Sequence, residues 1–352
     1  MIPTIRTLSQ QLVNPKFTKP QDLVSWMGAI QAQDYNMCKW AVGARLASAT
    51  ITDVENALAK GEILRTHVMR PTWHLVTAED IRWMLELCRK RIKAVCASRD
   101  KQLGIDEKLF YKTNNLIVKM LEGNNHLTRQ EIAERLIKAG IATDTSRMVH
   151  FMYRAEAEGI VCSGVDKEKK QTYALIDERV KQAAKTLQKD EALALLANKY
   201  FQSHSPASIQ DFTWWSGLSI FDSKYAINLI SSNLCKERFG DIIFYIHKLY
   251  NEATKFLDSA CLLPSFDEYL ISYKDRTAVI DAQHQPKAFT NNGIFRPIVM
   301  YNGKIIGTWR KVVKKEMISI EISAFENKKE QKKEVLKKIE SKYLLFHSFS
   351  KT

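Results

Sequence analysis

Up to about residue 256 the apolar positions recur mostly at helical spacing, broken by short strand-like runs; beyond it they alternate, and that change of period divides the chain. Thr18-Lys19-Pro20-Gln21 matches a capping box, with Thr18 at the N-cap, Gln21 reaching back and Pro20 in the first turn. The helix this predicts carries Leu23, Met27 and Ile30 on one stripe and delivers the chain to Gln31. A helix over Cys38 to Leu46 and another from Thr52 to Gly61 follow, then strands Ile63 to His67 and Thr72 to Val76 around Arg70-Pro71. Helices followed by a hairpin are the order of a winged helix.

The next stretch repeats the plan. A helix from Leu109 to Leu121 leads to Gly123, the capping box Thr128-Arg129-Gln130-Glu131 opens a helix closing at Gly140, and a third runs from Thr145 to Glu158. Its apolar face is Met148, Met152 and Ala155, while Arg147, His150 and Arg154 recur on another side. Ile160 to Cys162 and Thr172 to Leu175 frame a basic wing, Asp166 to Lys170. From Asp190 a helix with Leu193, Leu196 and Tyr200, one capped by Ser205-Pro206 through Trp214-Trp215, one over Phe221 to Ile230 and a strand over Ile242 to Ile246 suggest a third unit. In the last region Asn302-Gly303 is a two-residue hairpin signal, Met317 to Ile322 alternates, and the tail from Glu326 reads as a basic helix with Val335, Leu336 and Ile339 on one side. The expected architecture is α+β: winged helices over 1–95, 96–185 and 186–255, then a β-hairpin-rich region with a basic tail helix over 256–352.

Composition narrows the function. Among 352 residues, 53 Lys and Arg against 39 Asp and Glu leave a net charge of +14, which makes a polyanion, nucleic acid first, the leading partner. A membrane is disfavoured, since no apolar run approaches bilayer length and a signal sequence is lacking. Cys38, Cys88, Cys96, Cys162, Cys235 and Cys261 are scattered without a CxxC pair or a His/Cys cluster, which predicts no metal centre and reduced thiols in a cytoplasmic protein. Neither a G-x-S-x-G elbow nor a phosphate-cradling glycine loop occurs, which disfavours acyl transfer and nucleotide-driven chemistry and leaves no cofactor implied.

The candidate chemistry lies in Ile30-Gln31-Ala32-Gln33-Asp34, where two carboxamides flank a small residue. An amide carries donors and an acceptor but no titratable proton, so it can hold water or steady a positive charge and cannot serve as a general base. Residues i and i+2 share a side only in extended chain, so a common site requires the helix to end near Ile30. Asp267 and Glu268, within Leu263-Pro264-Ser265-Phe266-Asp267-Glu268-Tyr269, are either active-site support or structural carboxylates.

Gln31-Ala32-Gln33, Arg70-Pro71-Thr72-Trp73-His74-Leu75-Val76, the Leu263 to Tyr269 segment with Tyr273-Lys274-Asp275-Arg276, and Gly307-Thr308-Trp309-Arg310 together resemble the AlkZ family of winged-helix DNA glycosylases over residues 1–325. The resemblance implies a C-shaped stack of three winged-helix units with a basic concave face for duplex DNA, and excision of alkylated bases, N7-alkylguanine in particular, with some members unhooking interstrand crosslinks; a monomer is expected. It also places the family's catalytic Gln-x-Gln on Gln31 and Gln33; a sister branch has Gln-x-Asp, and Asp34 stands one position too late to take that role. Arg65, Arg70, His74, Lys274, Arg276 and Arg310, in or beside these segments, are candidate DNA contacts. The rival expectation is a non-catalytic winged-helix regulator reading a major groove with Arg147, His150 and Arg154.

Overall fold

The computed structural model describes residues 1–168, 170–181, 187–250, 259–314, 317–326 and 333–348. The chain divides into two compact units, Met1–Glu55 with Leu193–Thr352, and Asn56–Ala192. It opens with α1 (Ile2–Ser9), α2 (Pro20–Met27), β1 (Ile30–Gln31), α3 (Tyr35–Gly43) and α4 (Ile51–Lys60). The capping box expected at Thr18 does not form: the N-cap is Lys19, and Pro20 at N1 sets the first turn without a side-chain cap. Gly28, at φ 78°, ends α2, and only a residue without Cβ takes that conformation cheaply. The following helix begins three residues before the expected Cys38, because the Asp34 carboxylate accepts the Asn36 and Met37 N–H groups at 3.1 and 3.0 Å.

In the second unit β2 (Ile63–Val68) and β3 (Thr72–Thr77) pair antiparallel with His67 opposite Trp73. Next comes α5 (Ile81–Gln102). The boundary expected at 95/96 falls inside this 22-residue helix, because Ile81 to Gln102 contains no Gly or Pro to stop it and its apolar side, Leu85, Cys88 and Ile92, stays buried. Then follow α6 (Glu107–Leu121), β4 (Leu127–Thr128), α7 (Arg129–Lys138), α8 (Thr145–Ala157), β5 (Val161–Ser163), β6 (Thr172–Leu175) and α9 (Ile176–Arg179). The Thr128/Glu131 capping box forms as expected. Phe110, Ile117, Leu121, Ile132, Leu136, Phe151 and Met152 pack between these helices and the antiparallel sheet β4-β6-β5.

The order repeats in α10 (Lys189–His204), β7 (Ala207–Ser208), α11 (Ile209–Ser216), α12 (Ile220–Leu229), β8 (Leu234–Phe239) and β9 (Ile242–His247), with sheet order β7-β9-β8. Two details differ from expectation. Ser205-Pro206 precedes β7 rather than capping a helix, and the cap of α11 is Ser208, reciprocally bonded with Asp211. The strand β8, whose exposed Lys236-Glu237-Arg238 hides its alternation, is paired with β9.

The C-terminal region adds β10 (Ala260–Leu263), α13 (Glu268–Ile271), α14 (Gln285–Ala288), β11 (Ile298–Tyr301), β12 (Lys304–Lys314) and β13 (Met317–Ala324), with the sheet ordered β10-β11-β12-β13. Asn302 and Gly303 both have positive φ, as the hairpin signal requires. The tail forms α15 (Lys333–His347), and its apolar edge extends past Ile339 to Tyr343 and Phe346, which pack on Trp40 and Trp309. Lys169 of the expected wing and the lysines between 327 and 332 lie outside the described residues. Among the described residues no helix is long and apolar enough to cross a membrane.

Candidate active site

The Gln-x-Gln stretch occupies the link between α2 and α3. Because α2 ends at Met27 and Ile30–Gln31 is extended, the condition for the two amides to leave a helix together is met. Their surroundings nevertheless differ: Gln31 is 4% exposed, whereas Gln33 is exposed at a bend. The bend interrupts the two-residue alternation that would have given both the same burial. Asp34 is half-buried and spent on the α3 cap, with the Ser265 hydroxyl donating to its second oxygen at 3.1 Å.

The Gln31 N–H donates to Glu268 Oε1 at 2.5 Å, joining residues 237 apart in sequence. Glu268 is 1% exposed. Its other oxygen accepts from the Ser272 hydroxyl and from Trp215 Nε1 at 3.2 Å. His204 Nε2 stands 3.5 Å from that oxygen, too far for a strong hydrogen bond, and its ring stacks on Tyr200 with centroids 4.8 Å apart. Burial pushes the His204 pKa below its ordinary value, with the Glu268 carboxylate pulling the other way, so the imidazole is neutral near pH 7.

Asp267 is the N-cap of α13 and is held by Arg45 through Nη1 at 2.8 Å and Nη2 at 2.7 Å, both side chains being fully buried. Burial alone would lower the Arg45 pKa; Asp267 outweighs it and raises it. Arg45 also donates to Gln10 Oε1, and Gln10 in turn donates to Tyr273 and to the Glu268 carbonyl. Arg6 lies 3.5 Å from the centre of the Tyr273 ring. Adjacent in sequence, Asp267 and Glu268 therefore have different surroundings: one is bound by the Arg45 guanidinium, the other accepts from the Gln31 N–H, Ser272 and Trp215.

Of the candidate DNA contacts, Lys274, Arg276 and Arg310 belong to the first unit with Gln31 and Gln33, and the others to the second. Lys274 is exposed above the Trp214 ring at 4.8 Å, and Arg310 is 75% exposed beside Glu321 at 2.5 Å. Arg276 is half-buried, donating to the Leu270 carbonyl at 2.8 Å and lying 4.9 Å from the Phe289 ring. In the second unit Arg70 is half-buried at the β2–β3 turn, and His74 is 1% exposed with Nδ1 on the Thr72 carbonyl at 2.8 Å. Arg65 is buried, stacked on Trp73 at 3.8 Å and bonded to Gln171.

The helical stripe on α8 corrects the reading of that helix as presenting its basic side outward. Arg154 is 7% exposed and forks onto Glu107 at 2.7 and 2.9 Å; His150 pairs with Asp100 at 2.5 Å; Arg147 donates to the Leu103 carbonyl at 2.6 Å. The spacing was legible, but the acids on α5 and α6 that draw the stripe inward are 47 and 50 residues away in sequence.

Sequence reasoning missed Gln10, Arg45, His204, Trp215 and Ser272. No local motif marks Gln10, Arg45, His204 and Trp215, because each acts through a partner on a distant segment; Ser272 donates to Glu268 four residues earlier. Among the described residues Asp281, His284 and Glu326 bring ligand-type atoms within 4.8 Å of one another; His284 Nε2 already faces Glu326 at 3.3 Å, and Lys304 lines the same cavity of about 210 Å³.

Comparison with known proteins gives the family of the chain. An interstrand DNA cross-link repair glycosylase of Streptomyces sahachiroi is 23% identical over 341 residues, covering 88% of this chain and 87% of that protein. The solved DNA glycosylase AlkZ of the same organism superposes with a TM-score of 0.83 at 19% identity, covering 99% of this chain and 96% of that one, a likeness of fold. The family model for AlkZ-like DNA glycosylases matches residues 24–341, a span that takes in Gln31, Gln33, Asp267 and Glu268, and this chain therefore belongs to the AlkZ-like DNA glycosylase family.

Proposed function

We propose that this DNA glycosylase hydrolyses the N-glycosidic bond of purines alkylated on N7 in duplex DNA, acting as a monomer, with Gln33 and Gln31 orienting water and steadying the developing sugar cation. One observation carries the reading: the carboxylates around the Gln-x-Gln stretch are all engaged. Asp34 caps α3, Asp267 is bound by Arg45, and Glu268 receives Gln31, Ser272 and Trp215. The exposed group that remains is the Gln33 amide, which has no proton to give a leaving base. A guanine alkylated on N7 is already cationic and leaves without protonation, through an oxocarbenium-like state. Positioning and electrostatics then suffice, and neutral undamaged bases stay attached because their own leaving ability is poor.

The recurring order of a helix, a short strand, two helices and a hairpin supports a tandem winged-helix scaffold. Lys274, Arg276 and Arg310 are proposed as phosphate contacts, in keeping with the net charge of +14. A regulator's reading head would need Arg147, His150 and Arg154, which are engaged inside their own unit. Crosslink unhooking is proposed as the extension of the same chemistry to N7-linked strands. The test is a duplex bearing a single N7-methylguanine beside one bearing neutral O6-methylguanine, scored for free base and alkali-labile ends. Release from the cationic lesion alone is expected; equal release from both, or selective binding of one sequence with no base released, refutes the proposal.

A further inference from the structure

Two motifs far apart in sequence meet at the candidate site, and they meet twice. The Glu268 carboxyl group accepts the Gln31 N–H at one end of the Gln31 to Asp34 stretch, and the Ser265 hydroxyl donates to the Asp34 carboxylate at the other. The turn between Ser265 and Glu268 holds Phe266 at φ 56°, a left-handed backbone that a bulky side chain rarely adopts and that neighbouring structure must enforce. The glutamine stretch is bounded on its other side by Gly28, also left-handed.

We infer that Glu268 is a positioning residue for base excision: with Ser265 it clamps the Gln31 to Asp34 stretch at both ends, and both of its carboxyl oxygens must accept hydrogen bonds to do so. The carboxyl group matters because of the donor count. Gln31 N–H faces one oxygen, and Ser272 Oγ and Trp215 Nε1 face the other, so both oxygens have to accept. A carboxyl group can accept on both oxygens and fits. A carboxamide of the same size presents an NH2 group to one side, where at least one N–H donor would be left without an acceptor in a site excluded from water. The Arg45 guanidinium is committed to Asp267 by two hydrogen bonds, and the Gln31 N–H, the Ser272 hydroxyl and Trp215 Nε1 donate to Glu268. The clamp fixes the Gln31 backbone and therefore where the exposed Gln33 amide is presented. A misplacement of about 1 Å at a site that works by orientation slows the reaction about 100-fold.

The inference rests on the excision reading, and the experiment separates the two. Wild type, Glu268→Gln and Ser265→Ala are compared for single-turnover excision from N7-methylguanine duplex, for affinity to the same duplex, for melting temperature and for hydrogen exchange of the backbone amides over residues 28–34. Glu268→Gln is expected to slow excision about 100-fold with duplex affinity unchanged and the Gln31 amide exchanging faster. Ser265→Ala, which removes one hydrogen bond, is expected to slow it about tenfold. Unchanged exchange at Gln31 overturns the clamp; faster exchange with an unchanged rate per folded molecule makes Glu268 structural only. Should Glu268→Gln fail to fold, the same two readouts on Ser265→Ala decide. A wild type that releases no base at all refutes the excision reading instead, while amide exchange still judges the clamp.

Discussion

Gln31 and Gln33 carry the same amide, yet one is buried and the other exposed, so replacing them has different consequences. Gln33→Ala removes an exposed group and is expected to leave the melting temperature unchanged while lowering single-turnover excision by about 100- to 1,000-fold, the usual loss for one donor aimed at developing charge. Duplex affinity measured in parallel should stay constant; a matching rate for mutant and wild type on 7-methylguanine DNA removes Gln33 from the chemistry. Gln31→Ala mixes this effect with loss of packing and is the poorer probe. The same contrast between residue type and surroundings runs through the basic residues. Arg154 and Arg310 are both arginines beside a glutamate, but the first is buried against an aromatic ring, 3.9 Å from Phe110, and the second is 75% exposed. Only the second has a guanidinium that a phosphate could reach.

At the level of elements, local chemistry sets the starts and stops of most helices. Thr128 accepts the Glu131 N–H while Glu131 reaches back to the Thr128 N–H at 2.7 Å, and the Lys167 ammonium and Thr128 together hold the Glu131 carboxyl down at about 2. Thr128→Ala should therefore destabilise the second unit by about 1 kcal/mol, read from the urea midpoint, with excision at saturating DNA unaffected. No change in midpoint would mean that the cap is redundant with the Leu127–Tyr173 strand pairing beside it. Where local signals compete, the outcome differs from expectation. Ser205-Pro206 and Ser208 are both plausible caps, and Ser208 takes the role because Asp211, three residues on, can complete the box. The length of α5 was hidden for a different reason: its exposed side is Lys90, Arg91, Arg99 and Lys101, so its mean polarity looks like a linker while its buried side continues the core.

For the whole molecule, acid is the predicted weakness. Burial lowers the pKa of His126, His204, His247 and His347, the last to about 4, from the ordinary 6.5. Each ring thus binds a proton more weakly folded than unfolded, so its share of stability is full above about 6.5 and is lost as pH falls through 6.5 toward 4. Glu107 and Glu131, also lowered, extend the loss below 4.5. Melting temperature should decline from pH 7 to pH 4, and His347→Phe should flatten part of that decline; a flat profile in wild type contradicts the buried neutral rings. The sequence alone determined the helix period, the Thr128 cap, the Asn302-Gly303 turn, the Gln-x-Gln stretch and its family likeness, since these depend on residues within a few positions of one another. Tertiary structure decided which polar groups face inward: that the Asp34 carboxylate is also tied to Ser265, that Arg147, His150 and Arg154 are spent on partners, and that Glu268 holds Gln31 from 237 residues away. Burial and pairing of that kind follow from where distant segments meet, and nothing in the neighbouring residues specifies it.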